Sequence, residues 1–209
     1  MARLQLAILA SGRGSNFEAI LNNIKQGKLA ASIQVVISNK SSAGALEIAR
    51  QNGIPAVHIS KSEFPEQEQF DIQLLSILNQ YGANFIVLAG YLKMLSPFVV
   101  RKFKNRILNI HPALLPSFGG KGMYGIHVHE AVLEYGCKVS GVTVHLVDEA
   151  YDTGPPVLQR CVPVQDGDTP EILAARVLKV EHQIYTEALQ LFVEDRIEIV
   201  GRQVKIKPA

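Results

Sequence analysis

A chain of 209 residues, 47% apolar and 19% charged, carries enough apolar material for one sizeable core or two small ones. Its net charge of +2 is scattered along the chain, and no Lys/Arg block with interleaved aromatics appears, so a nucleic-acid partner is not expected. No apolar run approaches the ~18 residues of a membrane span, the N-terminal run LQLAILA is too short for a secretory leader, and the isolated Cys137 and Cys161 form no disulfide framework, so a reducing, cytoplasmic setting without membrane contact is expected.

LQLAILA (residues 4–10) reads as a buried strand, and the turn SGRGSN follows it. Phe17, Ile20, Leu21 and Ile24 then recur at helical spacing, with Ser15 and Glu18 in the pattern of a capping box. IQVVIS (33–38) is a second strand, residues 43–52 a helix with Gly53 beyond its end, and PAVHIS a short third strand. Phe70, Leu74, Leu78 and Tyr81 mark a third helix; FIVLAG (85–90) and RILNIH (106–111) are the fourth and fifth strands.

Apolar strands alternating with helices predict a mostly parallel sheet covered on both faces and wound by right-handed crossovers. The second half changes character. SGVTVHLVDE (140–149) alternates as a half-exposed strand would, VLQRCVPV (157–164) alternates again, and the turn EAYDTGPP suggests antiparallel pairing between them. Thr169, Pro170 and Glu171 open a long helix whose apolar stripe is Leu173, Val177, Val180, Ile184, Ala188 and Leu191. IEIVGRQVKI closes the chain as a hairpin around Gly201 and Arg202. The fold class is thus α/β: a doubly wound, Rossmann-like N-terminal half with an antiparallel extension in the C-terminal half. No repeat or low-complexity linker interrupts it, which predicts a single domain over 1–209 with halves at 1–112 and 113–209.

Ligands of doubly wound sheets bind outside the carboxyl ends of the strands, where SGRGSN, AGYLKM and NIHP all fall. Backbone N–H groups of Gly14, Ser15 and Asn16 at a helix start suit an anion. A dinucleotide fingerprint would need a glycine at Phe17 and an acid after the second strand, where Ser38, Asn39 and Lys40 stand, so a single phosphate fits better. A plain strand-to-helix turn is the alternative. GGKG (119–122) is no phosphate loop, because no Ser or Thr follows Lys121.

Asn109 and His111 lie one residue apart on an extended chain and so point to one side. An amide donor and an imidazole there can both reach a developing oxyanion; such a donor is worth ~2.7–4 kcal/mol in acyl transfer. A satisfied core histidine beside a strand-end asparagine is the plainer reading. VDEAYDTGP gathers Asp148, Glu149 and Asp152, and a carboxylate near His111 would raise its pKa and orient the ring. A solvated acidic turn is the alternative. His127 and His129 have an HxH spacing but lack the acidic partners of a metal site, so no metal is expected.

Together, ILASGRGSNFEAI, FIVLAGYLKMLSP, ILNIHPALLPSF, SGVTVHLVDEAYDTGPPVLQ and the VEHQIY helix resemble the phosphoribosylglycinamide formyltransferase family of purine biosynthesis, along nearly the whole chain. The resemblance implies transfer of the formyl group of 10-formyltetrahydrofolate, a co-substrate, to the amine of N1-(5-phosphoribosyl)glycinamide. It implies Asn109, His111 and Asp152 as the catalytic trio, Gly14, Ser15 and Asn16 as the phosphate loop, and Gly90, Pro112 and Glu181 as further nucleotide contacts. Leu92, Lys93, Met94 and Leu95, with Asn109 and Val147, would receive the folate, and Lys61 is the nearest candidate for its glutamate tail. His145 is implied as a support residue. The partners are then two small molecules, on a monomer or homodimer. A methionyl-tRNA formyltransferase would need a further RNA-binding domain. A formyl-folate hydrolase, a phosphoribosyl sensor and a metal hydrolase are the remaining rivals.

Overall fold

The computed structural model describes residues 4–208. The chain forms two compact units, Met1–Leu108 and Asn109–Ala209. In the first, β1 (Leu4–Leu9), α1 (Ser15–Lys25), β2 (Ala31–Ser38), α2 (Gly44–Gln51), β3 (Ala56–His58), α3 (Gln67–Gln80), β4 (Phe85–Leu88) and α4 (Pro97–Lys102) follow one another, with a short 3-10 turn at Lys61–Glu63. β2 and β4 flank β1 in parallel and β3 pairs in parallel with β2, giving the order β3-β2-β1-β4. Leu6, Ala7, Ile8 and Leu9 are all fully buried. Successive strand residues point to opposite faces, so both faces of the sheet are covered.

The capping box expected at Ser15 and Glu18 is absent. α1 starts at Gly14 in the left-handed region (φ 86°) with no side-chain cap. Gly14 is required there, because a Cβ would lie 2.8 Å from Ala45. α4 was not marked by any apolar period, being only six residues long; Ser96 caps it by accepting the Val99 N–H at 3.3 Å.

β5 (Ile107–His111) spans the boundary, and its last three residues open the second unit. That unit continues with α5 (Ile126–Glu134), β6 (Val139–Leu146), β7 (Pro156–Pro163), α6 (Pro170–Val193), β8 (Ile197–Val200) and β9 (Gln203–Ile206). β6 and β7 pair antiparallel, and β8 and β9 form the terminal hairpin. β6 departs from the half-exposed strand its alternation suggests: every residue from Ser140 to Leu146 is buried. Two of its polar positions, Thr143 and His145, are satisfied inside the protein rather than by water. Thr143 Oγ1 donates to the Ala113 carbonyl at 2.7 Å and accepts the Leu115 N–H at 3.0 Å.

Pro170 and the Thr169 side chain, which accepts the Ile172 N–H at 3.3 Å, open α6. Leu173, Val177, Ile184 and Ala188 are buried as expected, but Val180 and Leu191 are only half-buried, and Glu181, Tyr185 and Leu189 are buried in their stead. The buried stripe is wider than the apolar residues alone indicate, because it takes in a carboxylate and a phenol.

Candidate active site

Two clusters matter, one in each unit. In the first, Ser11 lies two residues past the end of β1 and is 2% exposed. Its N–H donates to the Gly90 carbonyl at 3.0 Å, and its hydroxyl accepts the Leu92 N–H at 2.9 Å while donating to Asn39 Oδ1 at 2.5 Å. The loop after β1 is thereby fastened to the segment after β4. Gly14, Ser15 and Asn16 form the start of α1, where backbone dipoles favour an anion. Gly90 takes φ 74°, a conformation suited to glycine. Of the four residues after Tyr91, Leu92, Lys93 and Met94 are exposed, whereas Leu95 is buried and anchors the segment in the core. Asp71, itself 3% exposed, accepts from Ser96 Oγ at 2.5 Å and from Gln67 Nε2 at 2.8 Å, which fixes the far end of that segment.

In the second unit, Asn109, His111, His145 and Asp152 converge. His145 Nδ1 lies 2.8 Å from the Leu146 carbonyl and donates to it. Asn109 Nδ2, 3.1 Å from Nε2, donates there. Its second N–H makes only a long contact, 3.5 Å, to Asp152 Oδ1, and is therefore the amide donor open to a further oxygen. His111 is gripped on both sides: Nε2 donates to the Phe118 carbonyl at 2.7 Å, and Nδ1 lies 3.6 Å from Asp152 Oδ2. The same carboxylate oxygen accepts the Gly120 N–H at 2.9 Å.

Backbone conformation places these groups. Phe118 and Asp152 both have left-handed φ values, 53° and 54°. For a bulky residue such as Phe118 that is strained, and such strain concentrates at functional loops. Gly119 admits the close approach, since a Cβ there would meet Leu115 Cδ2 at 2.5 Å and Asp152 Cβ at 3.3 Å. Gly154 is tighter still: a Cβ would fall 1.8 Å from the Leu146 carbonyl oxygen.

The electrostatics correct one expectation. Burial pushes the His111 imidazole below its ordinary pKa, and the upward pull of Asp152 and of the Phe118 carbonyl does not overcome it. For Asp152 burial works upward, but His145, the Gly120 N–H and His111 together hold the carboxyl below its ordinary range. His129, buried on α5, is also lowered by burial, with a further contribution from His111.

His127 and His129 lie one residue apart on α5, so they leave the helix on different sides: His127 is exposed beside Glu130 and His129 is 4% exposed. Among the described residues no group of three or more His, Cys, Asp or Glu side chains is arranged to hold a metal ion. Pro112 and Val147 are half-buried, each adjoining the strand end that carries a site histidine. Glu181 is buried on α6, and Lys61 donates to the Phe64 carbonyl at 3.1 Å in the 3-10 turn. The Phe118 carbonyl and the Gly120 N–H are the groups that residue types did not announce; the glycine density of FGGKG was the one available signal.

Residues 4–189 match the formyl transferase family model, and the chain belongs to that family. It is 46% identical over 195 residues to the chloroplastic phosphoribosylglycinamide formyltransferase of Vigna unguiculata, of whose length it spans 62%. It is 38% identical to the phosphoribosylglycinamide formyltransferase of Escherichia coli, covering 94% of this chain and 90% of that protein. The glycinamide ribonucleotide transformylase 1 structure from Symbiobacterium toebii superposes with a TM-score of 0.93 at 42% identity, over 99% of this chain and 95% of that one. These relatives place the chain on the phosphoribosylglycinamide formyltransferase branch of the family, whose mostly parallel α/β fold it shares.

Proposed function

We propose that this chain transfers the formyl group of 10-formyltetrahydrofolate to the amine of N1-(5-phosphoribosyl)glycinamide, a step of purine synthesis, in the cytoplasm. The observation that carries the reading is the Asn109–His111–Asp152 cluster with His145 behind it, in a chain whose relatives bear that activity in their names.

The substrate amine is the nucleophile, so the protein needs no serine or cysteine of its own. Attack on the formyl carbon forms the new C–N bond and puts negative charge on the formyl oxygen. The open N–H of Asn109 meets that charge, and the charged form of the His111 imidazole stabilises it electrostatically. Breaking the bond to the folate nitrogen returns the carbonyl, and the proton lost by the amine ends on that nitrogen. An imidazole below its ordinary pKa releases a proton readily, and Asp152 orients it and steadies its charged form. Gly14, Ser15 and Asn16 hold the phosphate, with Gly90, Pro112 and Glu181 as further contacts to the nucleotide. Leu92, Lys93, Met94, Leu95 and Val147 receive the folate. Holding both substrates together supplies the proximity contribution.

Purified protein given 10-formyltetrahydrofolate with and without the glycinamide acceptor tests the reading. Deformylation that depends on the acceptor is expected; equal deformylation without it marks a hydrolase and overturns the proposal. Asn109→Ala, His111→Ala and Asp152→Ala should each lower kcat by about 10²–10³-fold, the scale of losing one preorganised donor. Near wild-type turnover in all three removes the trio.

A further inference from the structure

The β8–β9 hairpin plays no part in the chemistry above, yet its turn reaches the segment that carries Asp152. Gly201 takes φ 60° at that turn, and the exposed Arg202 beside it donates from Nη2 to the Thr153 carbonyl at 2.6 Å. Thr153 directly follows Asp152. Within the turn, Asp148 Oδ1 accepts the Thr153 hydroxyl at 2.5 Å and the Ala150 N–H at 3.2 Å. Arg202 comes from 49 residues away and holds the same turn from outside.

Nothing about stability calls for this contact. Exposed charged contacts contribute ~0–1 kcal/mol. Arg160, Arg176 and Arg196 each hold a carboxylate, of Glu187, Asp168 and Glu194, and Arg176 and Arg196 donate to the Pro163 and Lys207 carbonyls as well. Arg202 is directed at a carbonyl one peptide beyond a left-handed aspartate whose two oxygens face His111, His145 and the Gly120 N–H. A turn in that conformation needs its surroundings to hold it.

We infer that Arg202 is a positioning residue: by clamping the Thr153 carbonyl it fixes the turn that presents Asp152 to His111. This rests on the proposed trio, so the test carries a reading that does not depend on turnover. Arg202→Ala and Arg202→Lys are compared with the unaltered protein. The alanine variant should keep its melting temperature, lose about tenfold in kcat and hold both KM values within about twofold, with lysine restoring part of the loss. By NMR, the His111 ring should titrate at lower pH in Arg202→Ala, moving in the same direction as in Asp152→Asn. The other titratable groups facing that ring, His129 and His145, are left in place. Amide exchange over residues 150–154 should quicken. Unchanged His111 titration together with unchanged turn exchange overturns the inference even in an active transferase. Altered NMR readings in a protein without transferase activity leave the positioning role intact and strike the proposed reaction instead.

Discussion

His111 stands between a peptide carbonyl and a carboxylate, and His129 lies buried on α5 with no hydrogen-bond partner at Nδ1 among the described residues. Both imidazoles are held below the ordinary value of 6.5, His111 and His129 alike chiefly by burial. The sign follows. As pH falls past about 6.5 the unfolded chain takes up protons first, so folding stability is full above that value and is lost as pH falls toward the lower folded values. Asp152, also lowered, adds stability above about 3.8 that disappears as pH falls through its own folded value. The urea midpoint should therefore drop between pH 7.5 and 5.5, and His129→Asn should flatten that slope; a midpoint constant across the window in the unaltered protein contradicts the assignment. At this scale, Asn109 and His111 were legible because side-chain spacing on a strand is geometric. The Phe118 carbonyl and the Gly120 N–H were not, because every residue owns such groups and no residue type marks them.

At the scale of elements, the end of β1 shows how one hydroxyl can organise two segments. Ser11 joins the loop after β1 to the backbone at Leu92 and to Asn39. Ser11→Ala leaves the Leu92 N–H and Asn39 Oδ1 without their shared partner, a loss of about 1–3 kcal/mol in folding stability. Chemical denaturation and faster exchange of the Leu92 amide would register it; an unchanged midpoint and an unchanged amide would show the link to be idle. The elements also show where pattern misleads. The polar positions of β6 read as a water-facing side, yet Thr143 and His145 are buried and bonded within the protein. Alternation reports polarity, and a buried polar layer has the same signature as solvent. Helix α1 carries capping residues in sequence, but a left-handed glycine sets its entry instead.

Across the whole molecule, the parallel half was legible because fully apolar runs separated by helical periods leave little else to build. α4 was missed as an element, being six residues long and opened by a proline, whereas α5, nine residues after a glycine-rich stretch, was read only as a helix that the HxH stretch leads into. The groups assigned to binding phosphate fall in the first unit and the groups assigned to proton transfer fall in the second. The two capacities should then be separable. Asp152→Asn should bind inorganic phosphate at the amides of Gly14 and Ser15 as the unaltered protein does, seen by NMR titration, while turnover collapses. Loss of both together would contradict the division of labour.

Gly154 carries no charge, donates no proton and touches no ligand in any role assigned here. Even so, a single methyl at that position would occupy the space of the Leu146 carbonyl oxygen. The main chain on either side would have to part, and Asp152, two residues earlier, would be carried away with it. A change as mild in appearance as glycine to alanine should thus silence the protein as thoroughly as removing the carboxylate, and an inspection limited to reactive side chains would pass over it.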